Sequence, residues 1–246
     1  MQAVIKFKCD NLKLPIHYNH IIQGFIYNNI KNQDFREFLH EEGFKKGKRS
    51  FKLFTFSRLY GKYQIDSNNK TITFKDNFSL TVSSLVDDFT NDFLQTCLFS
   101  NELQIDYQPV KVIGVEIEER KGIKDKILIK TLSPIVTYST VTIEGRKKTI
   151  YHSPYDSIFE KHIRENLLRK SEVIGEKIED DTLTIKPAKN SRLKENITYF
   201  KKIIVKGWSG VFELQGNPRL LEIALGCGLG AKNSQGFGCI KMIRAL

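Results

Sequence analysis

Residues 226–238 read Gly226-Cys227-Gly228-Leu229-Gly230-Ala231-Lys232-Asn233-Ser234-Gln235-Gly236-Phe237-Gly238, a run with five glycines in thirteen residues. Glycine lets a backbone turn with positive φ and lets it approach a ligand closely. The N–H groups of such a loop, together with the ammonium of Lys232, can surround a phosphate. The run therefore indicates a phosphate-binding loop. Its alternative interpretation is a glycine-rich connection that leads into a last strand.

Two nucleotide-binding motifs do not fit this run. The spacing Gly226-x-Gly228-x-x-Ala231 is similar to a dinucleotide fingerprint, but that motif opens a helix and needs an acidic residue about twenty positions later. Only eight residues follow Gly238 in the sequence. A Walker A motif is excluded as well, because no Gly-Lys-Ser or Gly-Lys-Thr occurs at the required spacing.

The charge balance points to a polyanionic partner. The 246 residues include 39 Lys and Arg against 28 Asp and Glu, a formal net charge of +11 with a sequence pI near 9.4. Such a charge repels itself in the free protein and is neutralised on phosphate, so we expect nucleic acid first and an anionic membrane surface second. The basic residues cluster in two segments: Lys45, Lys46, Lys48, Arg49 and Lys52, then Lys186, Lys189, Arg192, Lys194, Lys201, Lys202 and Lys206.

Export, membrane and metal signals are not found in the sequence. The first residues alternate charged and apolar side chains, and no run of about 18 apolar residues occurs, so we expect neither secretion nor a membrane span. The four cysteines are scattered, which predicts reduced thiols in the cytoplasm rather than disulfides or structural zinc. The five histidines do not converge with other ligand types either, so we expect no metal site and no cofactor.

The predicted elements follow the same order in both halves: strand, helix, strand, strand, helix, strand. The first half has strands near residues 2–9, 51–57, 71–78 and 103–117, with helices near 17–31, 34–43 and 84–99. The second half has strands near 127–131, between 183 and 212 and near 237–243, with helices near 154–169 and 218–225. The charged stretch 118–125 indicates a solvated connection, so we predict domains 1–120 and 121–246. The expected fold class is α+β, with two tandem ferredoxin-like (RRM-like, split βαβ) domains.

Tyr27 is predicted to lie outside the core. At 100° per residue it falls, together with His20, on the side of the first helix opposite to the apolar face. That apolar face comprises Ile22, Phe25, Ile26 and Ile30.

His40 and Lys52 lie at positions suited to polar chemistry. Asp34 is the expected N-cap of the second helix, and His40 lies near the C-terminal end of that helix, off its apolar stripe. The helix dipole there favours the imidazolium form of histidine. Strand alternation places Lys52 on the same side as Phe54 and Phe56.

Four further segments, taken with the glycine run, carry a family resemblance. They are Pro15-Ile16-His17-Tyr18-Asn19-His20-Ile21-Ile22-Gln23-Gly24-Phe25-Ile26-Tyr27, Leu39-His40-Glu41-Glu42-Gly43-Phe44, Phe51-Lys52-Leu53-Phe54-Thr55-Phe56-Ser57 and Leu132-Ser133-Pro134-Ile135. Over essentially the whole chain, the combination resembles the CRISPR-associated endoribonucleases that cut precursor CRISPR RNA within its repeats. The glycine run is similar to the signature loop of the wider repeat-associated (RAMP) superfamily of RNA-binding proteins.

The resemblance implies metal-independent cleavage, in which a ribose 2′-hydroxyl attacks the neighbouring phosphate and leaves a 2′,3′-cyclic phosphate and a 5′-hydroxyl. Matched by motif, Tyr27 and His40 are candidates for the proton transfers and Lys52 for charge stabilisation, with His20 as an assistant. The implied partner is CRISPR repeat RNA, with a CRISPR effector complex or a second copy of the chain as further partners. The implied RNA contacts are Gly226, Gly228, Gly230, Lys232, Asn233, Gly236, Gly238, Lys48, Arg49, Lys189 and Arg192.

Two other interpretations stay open. A non-catalytic RNA-binding subunit of a CRISPR effector complex would share the fold and the glycine run but would need no acid–base pair. A metabolic enzyme that binds a phosphorylated compound would show little salt dependence, whereas RNA binding through several phosphates weakens steeply as salt rises.

Overall fold

The computed structural model describes residues 1–100, 102–118 and 123–246. Its strands are β1 (Gln2–Pro15), β2 (Phe44–Lys46), β3 (Arg49–Phe51), β4 (Phe54–Phe56), β5 (Tyr60–Asp66), β6 (Thr71–Ser84), β7 (Leu103–Ile105), β8 (Gln108–Glu118), β9 (Lys126–Thr131), β10 (Tyr138–Ile143), β11 (Arg146–Tyr151), β12 (Leu183–Pro187), β13 (Lys194–Phe200), β14 (Ile203–Ser209), β15 (Val211–Gly216) and β16 (Ile240–Ala245). Its α-helices are α1 (Asn19–Asn28), α2 (Gln33–Glu37), α3 (Asp87–Phe99), α4 (Ser157–Val173) and α5 (Pro218–Cys227). A π-helical turn, Phe38–Glu42, continues α2, and a 3-10 turn, Asn233–Gln235, lies in the glycine run.

The first half folds around an antiparallel sheet with the strand order β4-β6-β1-β8-β7, and β5 also pairs with β6. In chain order, β1, α1, β4, β6, α3 and β8 form a unit whose four strands lie in the order second, third, first, fourth. This is the ferredoxin-like arrangement. Alternation along β1 fits it, because Ile5 and Phe7 are buried while Lys6 and Lys8 are exposed.

The second half repeats this arrangement with β9, α4, β12, β15, α5 and β16, in a sheet of order β12-β15-β9-β16. The predicted α+β class with tandem ferredoxin-like domains is therefore confirmed. The predicted boundary between residues 120 and 121 lies outside the described residues. The hairpins β2–β3, β10–β11 and β13–β14 are additions to this plan.

Each half has an apolar core, and the two halves are in contact. In the first core the stacked rings of Phe7 and Phe78 have centroids 4.9 Å apart. Leu85, from the first half, packs against the second core. A Cβ atom at Gly226 would lie 2.4 Å from Leu85 Cγ, so glycine at this position makes room for the contact between the halves.

Three local predictions need correction. The N-cap of α2 is Asn32 rather than Asp34, because Asn32 Oδ1 accepts the backbone N–H of Phe35 at 3.0 Å. The predicted strand 51–57 is interrupted at Leu53, whose φ of +55° breaks the alternation that placed Lys52 on the same side as the phenylalanines. The first strand continues past residue 9 to Pro15 through a bulge. Across the described residues, no helix has the length and apolar character that a membrane span requires.

Candidate active site

Tyr27 is buried, contrary to the prediction from the helical pattern of α1. Its side chain is 8% exposed and belongs to the first core. Its ring packs edge-on against Phe54 on β4, at a centroid distance of 5.7 Å, and against His40 at 5.6 Å. Phe54 and His40 thus cover Tyr27, whereas His20 on the same side of α1 stays exposed. The same burial raises the pKa of the Tyr27 phenol well above its usual range.

His40 lies on the π-helical turn and is exposed to solvent. Its Nδ1 atom is 2.6 Å from Glu41 Oε1. The turn ends at Gly43, which has a φ of +64° and donates its N–H to the carbonyl oxygen of Phe38 at 2.6 Å. Single π-helical turns of this kind occur frequently at functional sites.

Lys52 follows β3 and reaches back to the π-helical turn. Its Nζ atom donates a hydrogen bond to the carbonyl oxygen of His40 at 3.0 Å. Burial lowers the pKa of Lys52, and the neighbouring Glu41 carboxylate opposes that shift. The approach depends on Gly43, where a Cβ atom would lie 2.8 Å from Lys52 Cδ. His40 therefore contacts both Tyr27 and Lys52, so the structure brings the three predicted catalytic residues together.

His20 lies elsewhere. Its ring faces Phe200 on β13 at a centroid distance of 6.5 Å. It precedes Tyr27 by seven residues, which corresponds to about 10 Å along the helix axis. The structure does not bring His20 to the other three residues.

Side chains of the first half hold residues 226–238, which we call the glycine loop. Asn19 Nδ2, at the start of α1, donates to the carbonyl oxygens of Gln235 at 3.0 Å and Gly236 at 3.1 Å. One turn later, Gln23 Nε2 donates to the carbonyl oxygen of Ser234 at 2.8 Å. Asn19 and Gln23, which border the apolar face of α1, therefore bind the glycine loop directly.

Asn233 cross-links the glycine loop internally. Its Nδ2 atom donates to the carbonyl oxygens of Leu229 and Phe237, both at 3.1 Å. Its Oδ1 atom accepts from Lys170 at 2.8 Å, and Thr55 on β4 donates to the Phe237 carbonyl at 3.0 Å. The Asn233 amide, predicted to contact RNA, is thus already engaged within the protein.

The glycines of this loop allow its backbone to pack closely against other parts of the protein. A Cβ atom at Gly230 would lie 2.4 Å from the carbonyl oxygen of Val136, and one at Gly238 would lie 2.0 Å from that of Leu229. Three of the predicted phosphate-binding N–H groups already have acceptors and are not available to a phosphate, contrary to the prediction. These are Gly228 to Ala224, Gly236 to Asn233 and Gly238 to Pro134.

Lys170 was not among the functional residues predicted from the sequence. This lysine of α4 is 2% exposed, and its Nζ atom donates to three acceptors in and beside the glycine loop. A signal was present in the sequence, because Lys170 falls three residues after Leu167 on the apolar stripe of α4. The buried members of that stripe are Phe159, Ile163 and Leu167.

A cleft of about 640 Å³ lies between the two halves, bordered by the glycine loop, α4 and the segment around β3. Cationic side chains line it from both sides: Arg49 and Lys52 from the first half, Arg169 and Lys232 from the second. The Nζ atom of Lys232 lies 5.7 Å from the centre of the Tyr138 ring, and burial lowers the pKa of this lysine. Cations on both walls attract a phosphate-rich strand.

The remaining predicted RNA contacts are not brought to this cleft. Lys48, Lys189 and Arg192 are exposed, but they lie outside the residues that line it. In residues 1–100, 102–118 and 123–246, no three His, Cys, Asp or Glu side chains lie close enough together to hold a metal ion.

Comparisons with known proteins cover both halves. The family model described as CRISPR-associated protein Cas6, N-terminal, matches residues 13–115, and the one described as CRISPR associated protein Cas6, C-terminal, matches residues 117–242. CRISPR-associated endoribonuclease Cas6 1 of Methanocaldococcus jannaschii is 27% identical over 98% of this chain and 92% of its own length.

Pyrococcus furiosus provides two further matches, one to a protein sequence and one to a solved structure. A putative CRISPR-associated endoribonuclease-like protein Cas6 is 30% identical over 77% of this chain and 78% of its own length. A solved structure described as "Characterization of a Cas6-related gene from Pyrococcus furiosus" matches with a TM-score of 0.84 at 25% identity, covering 99% of this chain and 98% of that chain. The family resemblance carried by the sequence motifs is confirmed, and the chain belongs to the Cas6 family of CRISPR-associated proteins.

Proposed function

We propose that the chain is a metal-independent endoribonuclease that cuts the repeats of precursor CRISPR RNA and so produces guide RNAs. The observation that carries the proposal is the position of His40, whose ring meets Tyr27 and whose carbonyl oxygen binds Lys52. The histidine ring thus contacts the tyrosine ring, and the histidine backbone binds a lysine that lines a cationic cleft. The relatives named as endoribonucleases support the same activity.

In the proposed reaction the ribose 2′-oxygen forms a bond to the neighbouring phosphorus, and the bond from that phosphorus to the 5′-oxygen breaks. The 2′-hydroxyl loses its proton, the leaving 5′-oxygen gains one, and the pentacoordinate phosphorus gathers negative charge in between. The products are a 2′,3′-cyclic phosphate and a 5′-hydroxyl.

The burial of Tyr27 supports one assignment of the two proton transfers. Because its pKa is raised, the phenol keeps its proton through the neutral range, so it can donate a proton but cannot act as the base. His40 then takes the proton of the 2′-hydroxyl. The Glu41 carboxylate, 2.6 Å from Nδ1, holds a proton on that nitrogen and leaves Nε2 to accept. The Lys52 ammonium stabilises the charge on the phosphorane.

The cleft supplies the proposed binding surface for the RNA backbone. Arg49 and Lys232 contact phosphates from opposite walls, and Tyr138 offers a ring on which a base can stack. Lys48, Lys189 and Arg192 extend the backbone contacts beyond the cleft. Most of the affinity is then electrostatic, so it falls steeply as the salt concentration rises.

The experiment that tests the proposal is cleavage of the repeat RNA from the source genome in excess EDTA, followed by analysis of the product ends. We expect one cut with a cyclic phosphate, and a rate at least about 100-fold lower in His40→Ala. The matched control is His20→Ala, another exposed histidine about 10 Å along α1 from Tyr27, which should cut at nearly the wild-type rate.

Each alternative gives a distinct outcome. Tight RNA binding without any cut would favour the non-catalytic subunit and contradict the proposal. A cut that appears only when magnesium is added would contradict the metal-independent mechanism. Equal rates for wild type and His40→Ala would remove His40 from the proton transfers.

A further inference from the structure

Lys170 is a cation enclosed by the protein. Of the lysines and arginines in the described part of the chain, it alone is buried, at 2% exposure. Moving an ammonium out of water is unfavourable unless hydrogen-bond acceptors compensate for the lost solvation. A buried lysine therefore needs hydrogen-bond acceptors inside the protein, and these acceptors indicate its role.

Three acceptors surround the Lys170 ammonium. Its Nζ atom donates to the carbonyl oxygens of Cys227 at 3.2 Å and Gly228 at 2.7 Å, and to Oδ1 of Asn233 at 2.8 Å. The two carbonyls belong to the C-terminal end of α5, where the helix dipole attracts a cation. Three N–H donors thus meet three acceptors.

Two of these acceptors flank Lys232, which lines the cleft. Gly228 and Asn233 stand at either end of residues 229–232, and both are bound to the same Nζ atom. Lys232, within that segment, has a left-handed backbone with a φ of +63°. A conformation of that kind is costly for lysine and persists only where the surroundings enforce it.

We propose that Lys170 is a positioning residue for RNA binding, which fixes the glycine loop so that Lys232 faces the cleft. This inference rests on the proposed function, because it takes the cleft to be the RNA site. Lys170 borders the cleft but is only 2% exposed, so it acts on RNA through the loop rather than by direct contact. Its effect on RNA passes through Lys232, so the two residues act as one unit.

The test compares Lys170→Met, Lys232→Ala and the double variant in repeat-RNA binding across a series of salt concentrations. Methionine keeps the length and apolar character of the side chain but cannot donate. We expect Lys170→Met to weaken binding about tenfold and to lower the slope of log K against log salt by about one, as the loss of one phosphate contact does. The double variant should resemble either single variant, because coupled residues are not additive.

A residue that only stabilised the fold would not lower RNA affinity and the salt slope together while it left kcat nearly unchanged. For cleavage we expect KM to rise about tenfold and kcat to change less than about threefold, since Lys170 is not among the reacting groups. The control is Lys161→Met, which removes one exposed charge from the same helix and should leave the loop unchanged. If Lys170→Met does not fold, Asn233→Ala breaks the link from the loop side and should show the same RNA defect.

Hydrogen exchange of the free protein gives an independent result. In Lys170→Met we expect the amides of residues 228–237 to exchange at least about tenfold faster, with no such change in Lys161→Met. Unchanged exchange, unchanged RNA affinity or fully additive effects in the double variant would each overturn the inference. If wild type binds no repeat RNA, the proposed function fails, and unchanged exchange in Lys170→Met would still separately refute the positioning role.

Discussion

Lys52 Nζ donates a hydrogen bond to the backbone carbonyl oxygen of His40, at a distance of 3.0 Å. The contact joins the segment after β3 to the π-helical turn. The cation that we propose stabilises the phosphorane therefore also holds the backbone of the proposed base. Changes at Lys52 should consequently affect both charge stabilisation and the position of His40.

Lys52→Ala tests this double role. We expect single-turnover cleavage to fall about 10²–10³-fold, because removing one preorganised charge-stabilising group has effects of this size. RNA affinity should change much less, since several cations share the binding. The matched control is Lys45→Ala, whose ammonium pairs with exposed Glu42 at 2.9 Å. An equal loss of cleavage in both variants would contradict a specific role for Lys52.

Substitutions of Tyr27 separate its chemistry from its packing. Tyr27→Phe keeps the ring contacts with Phe54 and His40 and should leave stability nearly unchanged while cleavage falls about 10²-fold or more. Tyr27→Ala should also destabilise the fold by about 3–5 kcal/mol, because it leaves a cavity in the first core. Chemical denaturation measures the stability, and cleavage at saturating RNA measures the rate. Wild-type cleavage by Tyr27→Phe would exclude the phenol as proton donor.

Gly43 and Gly47 are two glycines of one segment that suit a backbone test. Both have positive φ, at +64° and +56°, but Gly43 also has a ψ of −171°, in a region that is essentially restricted to glycine, so alanine strains the backbone more at Gly43. A Cβ atom at Gly43 meets Phe51 O at 2.6 Å and Lys52 Cδ at 2.8 Å, whereas one at Gly47 meets nothing within 4 Å. We expect Gly43→Ala to lower cleavage at least about tenfold beyond Gly47→Ala. Equal cleavage rates in the two variants would show that displacing Lys52 with a Cβ atom at residue 43 does not affect cleavage.

The buried ammonium of Lys170 predicts that stability rises with pH. Burial lowers its pKa to about 8, against an ordinary value of 10.5. Between these two values the unfolded chain binds more protons than the folded one, so the contribution of this group to the free energy of unfolding increases with pH, by up to about 3 kcal/mol. Below about pH 8 both states are protonated, and the contribution is constant.

Comparison with Lys170→Met separates the contribution of Lys170 to the pH dependence of stability from the contributions of the other titrating groups. The difference in unfolding free energy between wild type and Lys170→Met should move in favour of wild type from about pH 8 to about pH 10. Negative charge on the Cys227 sulfur opposes this downward shift of the Lys170 pKa. A difference that stays flat over this range would show that Lys170 has an ordinary pKa.

Local pattern was enough to predict the architecture. Alternation in β1 and the repeated order of strands and helices identified both ferredoxin-like units, because each element buries a face whose period is set by its own backbone. The errors are of a different kind. The interruption at Leu53 depends on a single left-handed residue, and the choice of Asn32 over Asp34 as N-cap shifts the helix start by two positions.

Burial by distant elements was not predictable from local pattern. Tyr27 lies opposite the apolar face of α1, yet Phe54 and His40 cover it. The polar residue Asn19 on the same helix binds the glycine loop through contacts that span more than 200 residues. Lys170 was not predicted because its hydrogen-bond acceptors, which explain why a lysine lies on an apolar stripe, come from a segment more than 50 residues later.

The hydrogen bonds from Asn19 and Gln23 to the glycine loop also set an order of events during protein synthesis. The first half carries Tyr27, His40 and Lys52 and leaves the ribosome well before residues 226–238. Until those residues arrive, Asn19 and Gln23 have no loop carbonyls to bind and one wall of the cleft does not exist. On the proposed function, a nascent chain therefore carries its catalytic candidates before the cleft that would bind RNA is complete, and it becomes competent only when the last ferredoxin-like unit has docked.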